Sequence, residues 1–233
     1  MLILAFETSA KAGSVALLDG RKLLGESYQN TGLTHSQTIM PMAESLIAAC
    51  GYTPQQVEAV AVAAGPGSFT GIRIGVAAAK GFAWGAEISC YGVSTLEAMA
   101  LNLGAYEGLV VGVMDARRSQ VYTATFRAEK GVLTRLTEDR AISLQQLGEE
   151  LADSKCPVYL VGDGSTLTYN TLSGTVPQLI MPAEHKMHQR AAGVGLVAAG
   201  MIEAGLPGNG AALQPNYLRL SQAERERLEK EQK

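Results

Sequence analysis

The run Gly65-Pro66-Gly67-Ser68-Phe69-Thr70-Gly71-Ile72-Arg73-Ile74-Gly75 leaves the chain few ways to fold. Val57 to Ala64, just before it, is short, apolar and rich in β-branched residues, and reads as a buried strand that Gly-Pro-Gly stops. Pro66 holds its own φ, and the glycines on either side accept backbone angles that other residues avoid. Ser68 or Thr70 then caps a helix reaching about Gly85. Strand, tight turn and helix in that order make an α/β unit. Gly71, Gly75 and Ala79 recur every four residues and leave one stripe of the helix almost bare. Three uses of the stripe stay open: close packing inside the domain, a face for a second subunit, or a phosphate cradle at the helix N-terminus. No lysine follows the glycines at the P-loop position, which excludes a Walker A site.

The rest of the chain arranges itself around this unit. Leu2 to Phe6, Ser14 to Leu18 and Lys22 to Tyr28 read as a strand meander with a hairpin turn at Asp19-Gly20. Thr34 and Gln37 fit a capping box for a helix to Cys50, with Ile39, Met42, Ala43, Leu46 and Ile47 on its core face and a kink expected at Pro41. Ile88 to Val93 is a further strand, and Ser94 caps a helix ending near Gly104. The order then restarts: Leu109 to Met114, Gln120 to Phe126 and Val132 to Leu136 are strands, Ser143 to Ala152 a helix, Val158 to Val161 a strand. This recurrence predicts two domains of one topology, residues 1–104 and 105–212, followed by a tail, 213–233. Met187 to Ala204 reads as a last major helix crowded with small residues, and Ser221 to Lys233 as a charged terminal helix.

Charge and cysteine content restrict the chemistry. With 19 basic and 22 acidic residues the net charge is −3, so nucleic-acid contact is expected to be local or shared with a partner. Cys50, Cys90 and Cys156 are odd in number and form no Cys-x-x-Cys, which points to a reducing compartment and away from structural zinc. The N-terminus lacks a signal-peptide pattern and no apolar run spans a bilayer, so a cytoplasmic protein with no membrane partner is expected. His35, His185 and His188 are the only histidines, no His-Glu-x-x-His occurs, and no metal site is expected. The absence of Gly-x-Ser-x-Gly removes the nucleophile elbow.

Five ordered motifs carry a family resemblance: the glycine run, Thr34-His35-Ser36-Gln37, Gly92-Val93-Ser94-Thr95-Leu96, Asp115-Ala116-Arg117-Arg118 and Pro215-Asn216-Tyr217-Leu218-Arg219. Together they resemble the bacterial TsaB (YeaZ) family, a component of the tRNA threonylcarbamoyladenosine machinery, over nearly the whole chain. The resemblance, and the two meanders, imply two actin-like ATPase (RNase H-like) domains, each a mixed sheet with flanking helices.

Working members of that fold hold phosphates in two hairpin turns, the first usually Asp-x-Gly-[ST]-x. Here it is Glu7-Thr8-Ser9-Ala10-Lys11, with Ser9 at the glycine position. The second, Asp115-Ala116-Arg117-Arg118, also lacks glycine. Thr8, Ser9 and Asp115 are the remaining cofactor candidates, with Asp115 either a turn cap or a magnesium ligand. Arg117 and Arg118 are open to three roles: solvated, paired with acids of the other domain, or meeting RNA phosphate.

The resemblance implies a non-catalytic scaffold that activates the catalytic subunit TsaD, with the ATPase TsaE as a further partner and tRNA met indirectly through the complex. No cofactor of its own is expected, beyond ATP or ADP at the subunit interface. The alternative is an active ATPase or kinase of the same superfamily. His35, Met40, Phe69, Gly71, Arg73, Gly75 and Ala79 are the expected partner interface, serving a homodimer when TsaD is absent. In that reading Ile72, Val76 and Phe82 face the core and leave the bare stripe to the partner.

Overall fold

The computed structural model describes residues 1–219. Leu2–Glu7 (β1), Gly13–Asp19 (β2) and Lys22–Gln29 (β3) form the expected meander, with β1 and β2 antiparallel from Leu2 opposite Asp19 to Glu7 opposite Ser14. Helix His35–Ala49 (α1) leads to Ala59–Gly65 (β4), parallel to β1. Helix Phe69–Ala86 (α2) then leads to Ser89–Ser94 (β5), parallel to β4. The first sheet thus runs β3-β2-β1-β4-β5.

Helix Thr95–Ala100 (α3) crosses to the second sheet, built from Gly108–Asp115 (β6), Gln120–Glu129 (β7) and Val132–Arg135 (β8). Arg140–Ser143 (β9), helix Leu144–Leu151 (α4), Val158–Val161 (β10), helix Ser165–Leu172 (α5) and Leu179–Ile180 (β11) follow. Its order is β8-β7-β6-β10-β11, with β9 also pairing to β7. Strand for strand, the first path is repeated, as the recurrence in the sequence predicts.

Side-chain alternation along the strands sorts the first core into two layers. Leu4, Phe6, Val15 and Leu17 meet Ile39, Met42 and Ile47 of α1 and Ile72, Val76 and Ala79 of α2. Ile3, Ala5, Ala16 and Leu18 face the other way, onto helix Ala191–Glu203 (α6). That helix corrects two expectations. It starts at Ala191 rather than Met187 because Arg190 is extended and pairs with the buried Glu26, which also accepts the Ala192 N–H at 3.0 Å. It also lies on the first sheet, so residues 105–212 are not one block. Its small residues explain the close seat: a Cβ on Gly193 would collide with the Ala98 carbonyl, and one on Gly195 with Leu18.

Residues 213–219 are likewise no detached tail. Lys80 Nζ donates to the carbonyls of Ala211 and Leu213, and the Asn216 N–H donates to the Ala64 carbonyl at 2.6 Å. The helix expected over Ser221 to Lys233 lies outside the described residues. Ser68, Ser94 and Ser143 cap their helices, accepting from the N–H groups of Gly71, Glu97 and Gln146. Thr34 does not: its hydroxyl makes no capping bond, and the Gln37 N–H goes to its carbonyl. The helix α1 continues through Pro41, which lies on its exposed side. Across the domains, Arg135 binds both Asp139 and Glu97 at 2.7 Å, and the Ser94 hydroxyl donates to Asp139 at 2.6 Å.

Candidate functional site

The turns that follow β1 and β6 border one interdomain cleft of about 460 Å³. Its walls come from the first turn (Ser9, Lys11), the glycine run (Gly67, Phe69), the second turn (Asp115, Arg117), Asp163 after β10, and Asn216 to Arg219. This is where the fold would place phosphate-binding turns.

The first turn is packed from behind by the glycine run. A Cβ on Gly71 would strike the Thr8 carbonyl oxygen, one on Gly75 the Thr8 hydroxyl, and one on Gly67 would stand 2.5 Å from the Ser9 carbonyl oxygen. The Ser68 N–H donates to that Ser9 carbonyl at 2.6 Å, and the Thr8 hydroxyl donates to the Gly71 carbonyl at 2.8 Å. Gly71, Gly75 and Ala79 are all buried. The bare stripe therefore admits the chain's own first turn and sheet, not a partner, and these three residues leave the expected interface. Close packing inside the domain is the use the fold makes of them. Thr8 is corrected too, since its hydroxyl is spent inside the domain.

Glu7 is fully buried; its Oε1 accepts the Ser9 N–H at 2.6 Å, and its Oε2 has no partner among the described residues. Burial pushes its carboxyl up to about 7; the hydrogen bond from the Ser9 N–H opposes this and the charge of Asp163 adds to it. Asp163 is open to solvent along the cleft but walled by protein, and that partial desolvation raises its pKa while the Gln189 amide, donating at 2.9 Å, holds it down. The Ser9 hydroxyl is buried and unpartnered among the described residues.

In the second turn Asp115 accepts the Arg117 N–H at 2.7 Å, so it caps its own turn, as one sequence reading has it. Arg117, Arg118 and Ser119 all take positive φ, 66°, 54° and 56°. Arg219 donates to the carbonyls of Ala116 and Arg117, fastening the C-terminal segment to this turn. No group of three or more His, Cys, Asp or Glu is placed to hold a metal ion among the described residues.

Of the remaining interface candidates, His35 is half-buried, its Nε2 2.8 Å from the Ala10 carbonyl and its ring filling the space over Gly13. It braces the first turn against α1. Met40 is exposed on α1. Phe69 and Arg73 join Tyr217 at the cleft mouth: the Arg73 guanidinium lies 3.8 Å over the Phe69 ring, and its Nε donates to the Tyr217 hydroxyl at 2.7 Å. Sequence reasoning missed the outward face of α2. Ala77 is exposed, a Cβ on Gly81 or Gly85 would meet nothing, and Trp84 is 87% exposed. The signal was present, since residues 77, 81 and 85 repeat the four-residue spacing.

Residues 29–226 match the family described as TsaD, tRNA N6-adenosine threonylcarbamoyltransferase. A Bacillus subtilis protein named tRNA threonylcarbamoyladenosine biosynthesis protein TsaB is 34% identical over 98% of this chain and 99% of its own length. YeaZ from Pseudomonas aeruginosa, a solved structure, superposes with a TM-score of 0.73 at 25% identity, over 93% of this chain and 99% of that one. The ROK hexokinase of Thermus thermophilus superposes with a TM-score of 0.50 at 12% identity, over 88% of this chain and 100% of that one. That last likeness concerns the fold alone, and it is the actin-like one.

Proposed function

The chain belongs to the TsaB family of tRNA threonylcarbamoyladenosine biosynthesis proteins, and from that premise we propose that it is a non-catalytic cytoplasmic subunit that binds and activates the catalytic subunit TsaD. The observation that carries the reading is the state of the two turns. A phosphate-binding turn offers backbone N–H groups to oxygen. Here the Ser9 N–H is spent on Glu7 and the Arg117 N–H on Asp115. Glycine is missing from both turns, and Glu7 presents a buried carboxyl behind the first. The alternative, an ATPase or kinase, would need those groups free.

The partner face in this reading is the outer side of α1 and α2: Met40, Arg73, Ala77, Gly81 and Trp84. A stable contact there buries roughly 1,200 Å² or more, and the same face serves a second copy of the chain when TsaD is absent. Gly81→Arg tests it. The added side chain points to open space, so melting is expected to stay within a few degrees of the parent. Association with cognate TsaD, followed by size-exclusion chromatography with light scattering, is expected to be lost together with tRNA modification. A variant that folds, associates and activates normally would move the interface elsewhere.

A further inference from the structure

The mouth of the cleft gathers positive charge from distant parts of an acidic chain. Lys11, Arg117 and Arg219 line it, Arg73 lies against Phe69 and Tyr217 at its edge, and Arg118 is exposed beside Arg117. Neither Lys11 nor Arg118 makes a side-chain hydrogen bond or ion pair among the described residues, and the Arg117 side chain, which reaches Asp115 at 3.4 Å, is still 84% exposed. Two half-exposed aromatics, Phe69 and Tyr217, stand 5.0 Å apart among these cations. The three left-handed residues of the second turn hold Arg117 and Arg118 out at the rim, although each costs about 1 kcal/mol relative to a right-handed geometry. Strain kept at such a place points to a use for it.

Depth in the cleft carries the opposite sign. Asp115 and Asp163 line the interior. A phosphate pushed inward meets carboxylates, whereas one kept at the rim meets cations supplied by both domains. That layering suits an extended polyanion crossing the mouth better than a compact nucleotide seated inside. We propose that this rim binds the sugar-phosphate backbone of RNA, with Tyr217 offering a face to a base. The inference rests on the subunit reading only in making tRNA the natural probe.

The test uses the full chain and a fluorescein-labelled, unmodified tRNA transcript, with anisotropy followed from about 50 to about 200 mM salt, where phosphate contacts lose affinity most visibly. Arg117→Gln with Arg118→Gln keeps the backbone and removes two charges. It is expected to lose roughly tenfold in affinity at low salt and to flatten the salt slope by about 2. Lys22→Gln with Lys155→Gln makes the same charge change at the far ends of the two sheets and is expected to change neither. Excess ADP is expected to leave the tRNA bound. No binding by the parent chain at low salt, equal losses in rim and control variants, or displacement by ADP would each overturn the proposal. Association with TsaD, measured on the same variants, separates the two readings: RNA loss with TsaD binding intact leaves the subunit reading standing.

Discussion

The turn after β1 and the turn after β6 hold the same place in two copies of one topology, and they have been put to different ends. Each begins with an acid that accepts the N–H two residues on, Ser9 for Glu7 and Arg117 for Asp115. Behind the first, Gly67, Gly71 and Gly75 let the helix and its loop close until Glu7, Thr8 and Ser9 are buried. Behind the second stands Gly162-Asp163-Gly164, the counterpart of Gly65-Pro66-Gly67, which brings a carboxylate rather than a proline to the cleft. Its turn stays at the surface with two arginines held outward. One copy has become structural filling and the other a charged rim. The comparison shows that a duplicated fold preserves the path of the chain and leaves the use of each turn to the residues packed behind it.

The comparison is most severely tested at Gly75. Gly75→Leu must push against Thr8 and Val62, and a destabilisation of at least about 3 kcal/mol is expected, seen as loss of cooperative melting by circular dichroism. Gly81→Arg on the outward face is the matched control. Near-native melting of Gly75→Leu would mean that the first turn is not held by the helix behind it.

Glu7 sharpens the difference through pH. In the folded chain its carboxyl titrates near 7, against an ordinary 4.5. The folded state therefore keeps a proton that the unfolded chain releases across that window, and stability falls as pH rises through it. The full effect, reached above about pH 7, is on the order of 3 kcal/mol. Glu7→Gln keeps an acceptor for the Ser9 N–H and is expected to remove most of that slope in urea titrations run from pH 5 to 8. An unchanged slope would place the pH dependence in other groups.

Much of this architecture is legible in the residues themselves. The strands of both meanders and the caps at Ser68, Ser94 and Ser143 rest on local signals, and the structure places them as read. Which stripe of α2 faces inward is not local. Residues 71, 75 and 79 and residues 77, 81 and 85 share one spacing, and only the bulk of Thr8 and Val62 beneath the first set decides between them. The return of α6 to the first sheet depends on pairing Arg190 with Glu26, 164 positions apart. The cationic rim is assembled from Lys11, Arg73, Arg117 and Arg219, so no window of sequence displays it. Short β9 and β11 and the eight-residue α5 fell below what periodicity resolves.

In the proposed function neither turn performs chemistry and the chain acts by enabling a catalytic partner. Asp115→Asn tests this most directly: the amide oxygen can still cap the Arg117 N–H while the one carboxylate placed to hold a magnesium ion in the second turn is gone. Threonylcarbamoyladenosine formation on tRNA by cognate TsaD, measured with the parent chain and with Asp115→Asn at saturating concentration, is expected to agree within about twofold. A loss of a hundredfold or more, with TsaD binding and melting unchanged, would show that this chain's own carboxylate takes part in the reaction and would contradict the account.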